Sequence, residues 1–221
     1  ANVGCISKAS YTFGFSIPSV HDTALMHPNL GSTNLNLYSE RFVMLKKGLH
    51  SPAHLFLDNT VYFITSAIYQ KRALLAPNSI KHHLISTIET CLVEKNWILD
   101  NWVILDNHYH LLVISHKGED LSKIFRKIHG LSARFIQTKT ICEKPIWWNY
   151  WDYCPRNEKD YLIRLNYLLN NPVKHGYVQN LHDYSFSSFH TLIEKQGTEL
   201  LRRQFVEHSK YKELVIDEDD F

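Results

Sequence analysis

Several things are scarce in this chain of 221 residues, and each scarcity removes a class of protein. No run of apolar residues approaches the ~18 that a membrane helix needs, so no span is expected. The first twenty residues lack a basic start followed by an apolar block, so no secretory signal is expected either. Cysteine is sparse: Cys5, Cys91, Cys142 and Cys154 stand far apart with no C-x-x-C pair, which excludes a zinc ribbon and argues for reduced thiols rather than a disulfide framework. Glycine (8) and proline (7) are too few for a collagen-like or low-complexity chain, and no Gly-rich phosphate loop is present. Charge of one sign is missing too. The 24 Lys+Arg against 22 Asp+Glu leave a formal +2, too little to announce a nucleic-acid binder.

Histidine is what the chain has in excess, with 14. The near-neutral total also hides an uneven distribution. Residues 117–174 hold 11 Lys+Arg against 6 Asp+Glu, while Asp217–Asp220 is wholly acidic.

Residues 1–45 are rich in Ser, Asn, Gly and Thr without a sustained period and read as an N-terminal extension. Cleaner signals begin after them. NTVYFITSAIYQ (59–70) is β-branched and aromatic, hence a strand. Residues 79–96 carry a helical stripe opened by Asn78 and Ser79 as candidate caps. WILDNWVILD (97–106) and NHYHLLVIS (107–115) read as two strands joined near Asp106-Asn107. A second helix at about 120–138 places Leu121, Ile124, Ile128, Leu131 and Phe135 on one stripe and Lys123, Arg126, Lys127 and Arg134 on another face. KPIWWNYWDYC (144–154) is an aromatic strand. The next helix starts near Asn157, with Asp160 completing a capping arrangement, and is expected to stop before Pro172. This order predicts an α+β, ferredoxin-like split βαβ antiparallel sheet with helices packed on it, over a domain of residues 46–195, followed by a tail at 196–221.

Three constellations could carry chemistry. His108 and His110 fall on the same face of a strand, with Tyr109 on the other, so two imidazoles stand side by side as candidate ligands for a divalent cation. With so many histidines, roughly one His-x-His arises by chance, and hydrogen-bonded structural histidines are the competing reading. On the helix over YLLNNPVKHG, Tyr161, Leu162, Leu165, Leu168 and Leu169 form the apolar stripe. Tyr167 lies off it, on one side with Asp160, Arg164 and Asn171, which suits either a polar role or an ordinary rim tyrosine. The basic helix face with Trp147, Trp148, Trp151 and Tyr153 nearby could form a groove for single-stranded nucleic acid, or a solvated surface over a core of tryptophans.

Taken together, these segments resemble the single-tyrosine HUH transposases and, more closely, the REP-associated tyrosine transposases. VYFITSAIYQKRALL (61–75), WVILDNHYHLLV (102–113), LSKIFRKIHGLSARFIQ (121–137), WWNYWDYCPRNEKDY (147–161), NYLLNNPVKHGYV (166–178) and DYSFSSFH (183–190) occur in the family's order, over roughly residues 50–192. Asp106-Asn107 stands where such proteins often have Pro-Asn, and the first 45 residues and the acidic tail have no assigned counterpart. The resemblance implies an HUH-type fold and metal-dependent cleavage and strand transfer of single-stranded DNA at hairpin-forming repeats, through a covalent 5′-phosphotyrosine. It implies Tyr167 as nucleophile, and His108, His110 and Asn171 as ligands of Mg²⁺ or Mn²⁺. Lys123, Arg126, Lys127, Arg134, Arg156, Arg164 and Lys174 are then candidates for DNA-backbone contacts. The expected partner is single-stranded or hairpin DNA, the expected state a monomer in preference to a homodimer, and the expected location a bacterial cytoplasm in association with the nucleoid. A non-catalytic single-stranded nucleic-acid-binding module on the same fold is the alternative.

Overall fold

The computed structural model describes residue 54 and residues 56–214. The proposed extension over 1–45 and the acidic end at 217–220 lie outside the described residues. Four strands, β1 (Val61–Ile68), β2 (Ile98–Ile104), β3 (His108–Ile114) and β4 (Trp147–Tyr153), form one sheet in the order β2-β3-β1-β4, with antiparallel neighbours throughout. Helices α1 (Asn78–Val93) and α2 (Leu121–Lys139) complete the two crossovers of the expected split βαβ plan.

α1 and α2 share one face of the sheet, over a core that includes Tyr62, Ile64, Ile68, Tyr109, Leu111 and Val113. The other face carries Phe63, Leu112 and, from β2, Val103, under helix α3 (Glu158–Lys174). With both faces covered, β1 and β3 are buried along almost their whole length, which explains why they read as continuous apolar runs rather than alternating ones. Helices α4 (Phe189–Gln196) and α5 (Thr198–Glu207) and a short 3-10 turn at Ser209–Glu213 come next in the chain. Leu201 and Tyr211 are buried in the same cluster as Leu165, Tyr167 and Leu168 of α3, so residues on both sides of the expected 195/196 boundary share a core.

Two local expectations need correction. Asn78 and Ser79 do not cap α1: the cap is Pro77, in extended conformation, whose carbonyl accepts from Ile80 N at 2.9 Å. α3 does not stop before Pro172. It is capped as expected by Asn157, whose side chain accepts from Asp160 N, but runs through Pro172 to Lys174. Proline's fixed φ suits a helix, but it removes one amide donor and crowds the carbonyl four residues back; the helix continues past it to a final turn closed by His175 N to Asn171 O at 3.0 Å. The turn ends at Gly176, whose φ of +72° only glycine adopts freely.

The DYSFSSFH segment has a structural task. Ser187 bridges Val103, Ser188 Oγ donates to Asn101 Oδ1 at 2.9 Å, and Tyr184 Oη donates to the Ile104 carbonyl at 2.7 Å. The segment thereby covers the outer edge of β2, which would otherwise present unpaired backbone groups. Among the described residues no helix is long and apolar enough to cross a membrane.

Candidate functional site: two histidines, an asparagine and a tyrosine beneath α3

The register of the sheet decides where the histidines point. Tyr109, Leu111 and Val113 turn toward α1 and α2, so His108, His110 and Leu112 turn toward α3. His108 is 7% exposed and His110 fully buried. Each ring is held through Nδ1: that of His108 by Asn107 Oδ1 at 2.7 Å, and that of His110 by Thr65 Oγ1 at 2.9 Å. Asn107 Nδ2 donates to the Lys71 carbonyl at 3.3 Å, which fixes the amide with its oxygen toward the ring. The His108 proton on that side therefore sits on Nδ1, and Nε2 presents a lone pair. This is the arrangement by which a partner behind an imidazole orients a ligating nitrogen.

From the other side comes α3. Asp160, Arg164, Tyr167 and Asn171 share a face, as their spacing requires, and that face looks at the sheet. Tyr153 Oη donates to Asp160 at 2.8 Å, and the Arg164 guanidinium lies 3.4 Å over the Tyr153 ring and 5.5 Å from that of Phe63. Tyr167 packs edge-on to His110 with ring centroids 5.5 Å apart, and Asn171 Oδ1 lies 3.1 Å from His108 Nε2. Tyr167 is thus no rim residue: it is 2% exposed, and Asn171 is fully buried. Lys174 Nζ donates to the Tyr167 hydroxyl at 2.9 Å and lies 4.7 Å over its ring. A cleft beside the tyrosine is lined by Asn170, Lys174, Tyr211, Lys212 and Leu214.

The donor set fits a hard divalent cation. With the Asn171 oxygen toward the ring, His108 Nε2 and Asn171 Oδ1 face each other as two lone pairs, an arrangement that a cation, a second imidazole proton or a turned Asn171 amide resolves. In this orientation Asn171 Nδ2 has no hydrogen-bond partner among the described residues. Among the described residues no three His, Cys, Asp or Glu side chains gather in a way that could hold a metal, so His108 and His110 would need an oxygen donor, for which the Asn171 amide is the candidate at hand. Two imidazole nitrogens and an amide oxygen suit Mn²⁺ and, with phosphate oxygens added, Mg²⁺.

The expected basic residues divide. Lys174 and Arg164 lie at the site, Arg164 as part of the α3–sheet contact. Arg156 is exposed at the start of α3. Lys123, Arg126, Lys127 and Arg134 are on α2, across the sheet, where Lys123 pairs with Asp120 and Lys127 with Glu94. The tryptophans divide as well: Trp147 is buried against α2 and Trp148 is 48% exposed. Sequence reasoning missed Thr65, Asn107 and His175, whose ring lies 5.1 Å from that of His108. Asn107 carried a faint signal, an amide adjoining a His-x-His at a turn; Thr65 carried none, because only the β1–β3 register brings it to His110.

Comparison with known proteins bears on the fold that carries these residues. Residues 58–154 match the family model described as Transposase IS200 like. The chain is 27% identical over 138 residues to the REP-associated tyrosine transposase of Escherichia coli K12, covering 61% of this chain and 79% of that one. The chain is similar to the REP-associated tyrosine transposases. A Haemophilus influenzae member of the same group is 29% identical over 164 residues, covering 68% of this chain and 85% of its own. A solved structure of a REP-associated tyrosine transposase bound to a REP hairpin superposes with a TM-score of 0.57 at 26% identity, over 65% of this chain and 84% of that one. That solved structure therefore shares the α+β fold that the segment order predicts.

Proposed function

We propose that this protein cuts and rejoins single-stranded DNA at hairpin-forming repeats, with Tyr167 as the nucleophile. The observation that carries the reading is the seating of α3: Tyr167 and Asn171, one turn apart, lie against His110 and His108, two residues apart on β3. A tyrosine, two imidazoles and an amide oxygen converge from four positions of two elements. The hairpin bound by the related transposase supports the choice of DNA.

The phenolic oxygen of Tyr167 attacks the scissile phosphorus, the P–O3′ bond breaks, the phenolic proton leaves, and the products are a 5′-phosphotyrosine and a free 3′-hydroxyl. Phenol suits the task because its pKa of about 10 makes it a far better leaving group than an aliphatic alcohol. A 3′-hydroxyl can therefore attack the phosphotyrosine, re-form a phosphodiester and restore the tyrosine without a nucleotide cofactor. His108, His110 and Asn171 would hold Mg²⁺ or Mn²⁺, which when bound supplies charge to offset that building on the phosphate. Asn107 and Thr65 keep the imidazoles oriented, Arg164 and Asp160 seat α3 on the sheet, and Lys174 fixes the Tyr167 hydroxyl. The cleft lined by Lys174, Tyr211 and Lys212 gives a strand its path to that hydroxyl.

The near-complete burial of Tyr167 favours a second reading, a module that binds single-stranded DNA without cutting it. Incubating the protein with single-stranded hairpin oligonucleotides and Mn²⁺ separates the two. An SDS-resistant protein–DNA adduct that disappears in Tyr167→Phe is the expected result. Binding without an adduct across hairpins and metals would establish the module instead, and metal-dependent hydrolysis that survives Tyr167→Phe would remove the tyrosine from the chemistry.

A further inference from the structure

One aromatic feature at the edge of the sheet is absorbed neither by the core nor by the site. Trp148 stacks on Tyr69 with ring centroids 5.2 Å apart and planes 22° from parallel, yet 48% of its surface is exposed. One indole face rests on Tyr69, leaving the other to solvent. A half-exposed tryptophan is ordinary taken alone; what sets this one apart is the aromatic ring supporting it from below.

The surroundings give the ledge a chemical preference. Lys71 and Arg72 follow Tyr69 after Gln70, and Glu143 and Lys144 precede β4. Arg72 is held between backbone carbonyls: Nε donates to Tyr69 O at 3.0 Å, one terminal nitrogen to Glu143 O at 2.8 Å and the other to Pro145 O. These partners are neutral, so they fix the guanidinium without cancelling its charge. The backbone is unusual here as well. Gln70 and Lys71 both sit in the left-handed region, at φ +58° and +52°, which non-glycine residues adopt at some cost and which concentrates where a segment is held for a purpose. The β1–β4 register also slips between Ser66 and Ile68, so that Trp148 and Asn149 form an irregularity of the kind that re-aims side chains.

The ledge is also tied to the site. Ile68 N donates to Asn107 O at 2.7 Å and Asn107 Nδ2 to Lys71 O at 3.3 Å, while Asn107 Oδ1 holds His108 Nδ1. A single residue therefore joins the turn bearing Tyr69 to a candidate metal ligand. Ile68 and Trp147, the paired residues next to Tyr69 and Trp148, are both buried in the core beneath α1 and α2.

We propose that the Tyr69–Trp148 stack, flanked by Lys71 and Arg72, is a base-stacking subsite for a nucleotide of the single-stranded DNA flank that leads to the His108–His110 site. Aromatic faces accept any base and the cations follow the backbone, so the subsite adds grip on an unpaired flank rather than sequence readout. The inference rests on the reading of the site as one that acts on single-stranded DNA.

The test measures binding of a labelled dT12 strand, and of a 12-mer of abasic tetrahydrofuran units with the same phosphates, by fluorescence anisotropy. The full chain carries Tyr167→Phe, so that no covalent product forms. Stacking is worth about 1–3 kcal/mol per base, so Trp148→Ala is expected to weaken dT12 binding roughly 5- to 150-fold while leaving the abasic strand unaffected. Trp148→Phe should retain most of the affinity. Trp148→Gln, a polar replacement suited to a half-exposed position, should repeat the loss. Equal dT12 affinity with and without the indole, or an equal loss on the abasic strand, overturns the subsite. Adduct formation by the wild-type chain is scored separately. An adduct with no Trp148 effect removes the ledge alone, and a Trp148 effect with no adduct under any metal removes the Tyr167 chemistry alone.

Discussion

Lys174 offers the sharpest test of how the site is built, because sequence and geometry give it different tasks. By composition it is one more cation for the DNA backbone. In the structure its ammonium donates to the Tyr167 hydroxyl at 2.9 Å and lies 4.7 Å over the ring. A hydrogen bond from a charged donor contributes about 1.5–3 kcal/mol where water is excluded. Lys174 is exposed, so water competes for its ammonium, and about 1 kcal/mol is the fairer figure. If that contact aligns the nucleophile, Lys174→Met should slow single-turnover adduct formation by roughly 5- to 10-fold at saturating oligonucleotide, where weaker binding no longer registers. The salt dependence of binding should stay as in the wild type, and Lys174→Arg, which can still donate to the hydroxyl, should recover much of the rate. The opposite pattern refutes the argument. An unchanged rate at saturation, with a salt slope smaller by about one, would make Lys174 a phosphate contact and nothing more.

Two further outcomes are expected of the same structure. Asn107→Ala removes the acceptor behind His108 Nδ1, and loss of such an outer partner typically weakens metal affinity about 10- to 100-fold, so the Mn²⁺ concentration for half-maximal adduct should rise within that range; an unmoved midpoint would show that His108 needs no such support. His129, between Ser66 and Tyr109 and stacked on Trp147, has its pKa pushed down by burial to about 3. A pKa lower in the folded than in the unfolded chain means stability that is complete above about 6.5 and is lost as pH falls toward 3, by at most about 3 kcal/mol at pH 4. Urea melts between pH 7 and 4 should show the decline, and His129→Gln should flatten it; an equally steep decline in that variant would place the acid sensitivity elsewhere.

What could be read from the sequence was mostly what spacing controls. β1, the β2–β3 pair, α2 and the Asn157 cap emerge from alternation, helical periodicity and a single side-chain acceptor. So does the shared face of Asp160, Arg164, Tyr167 and Asn171. Periodicity tells which residues share a face and is silent about what covers it. The leucine stripe on α3 marked its buried side, and the polar stripe beside it read as a rim. Yet the sheet beneath presents Thr65, His108 and His110, so the polar stripe is buried too. The same silence applies to α2, whose basic face is real but lies across the sheet from Tyr167. Pro172 misled for another reason: the bias against helix before a proline is a local tendency, and here the buried packing of Leu168, Leu169 and Asn171 carries α3 through it to a last turn closed by His175 and Gly176.

The topology itself explains why the site sits where it does. β1–α1–β2 and β3–α2–β4 are both crossovers between parallel strands of one sheet, and the usual handedness of such connections puts α1 and α2 on the same face. Among the described residues α3 and the elements after it are the ones that cover the other face. β3 must therefore split its side chains, with Tyr109, Leu111 and Val113 for the core and His108, His110 and Leu112 for the late-arriving helix. A His-x-His on the middle of the sheet and a Tyr-x-x-x-Asn on the first helix after the last strand are thus two halves of one requirement. Their match depends on the angle at which α3 lands, and that is set by contacts beyond the four residues themselves. Arg164 lies over Tyr153, Tyr161 Oη donates to Asp100 at 2.5 Å, and Asn166 is clasped by Gln204 at 2.7 Å. The last of these comes from α5. Residues after the IS200-like segment therefore help set the position of Tyr167 over His110, and a chain cut after residue 195 would keep every candidate site residue while losing part of what aligns them.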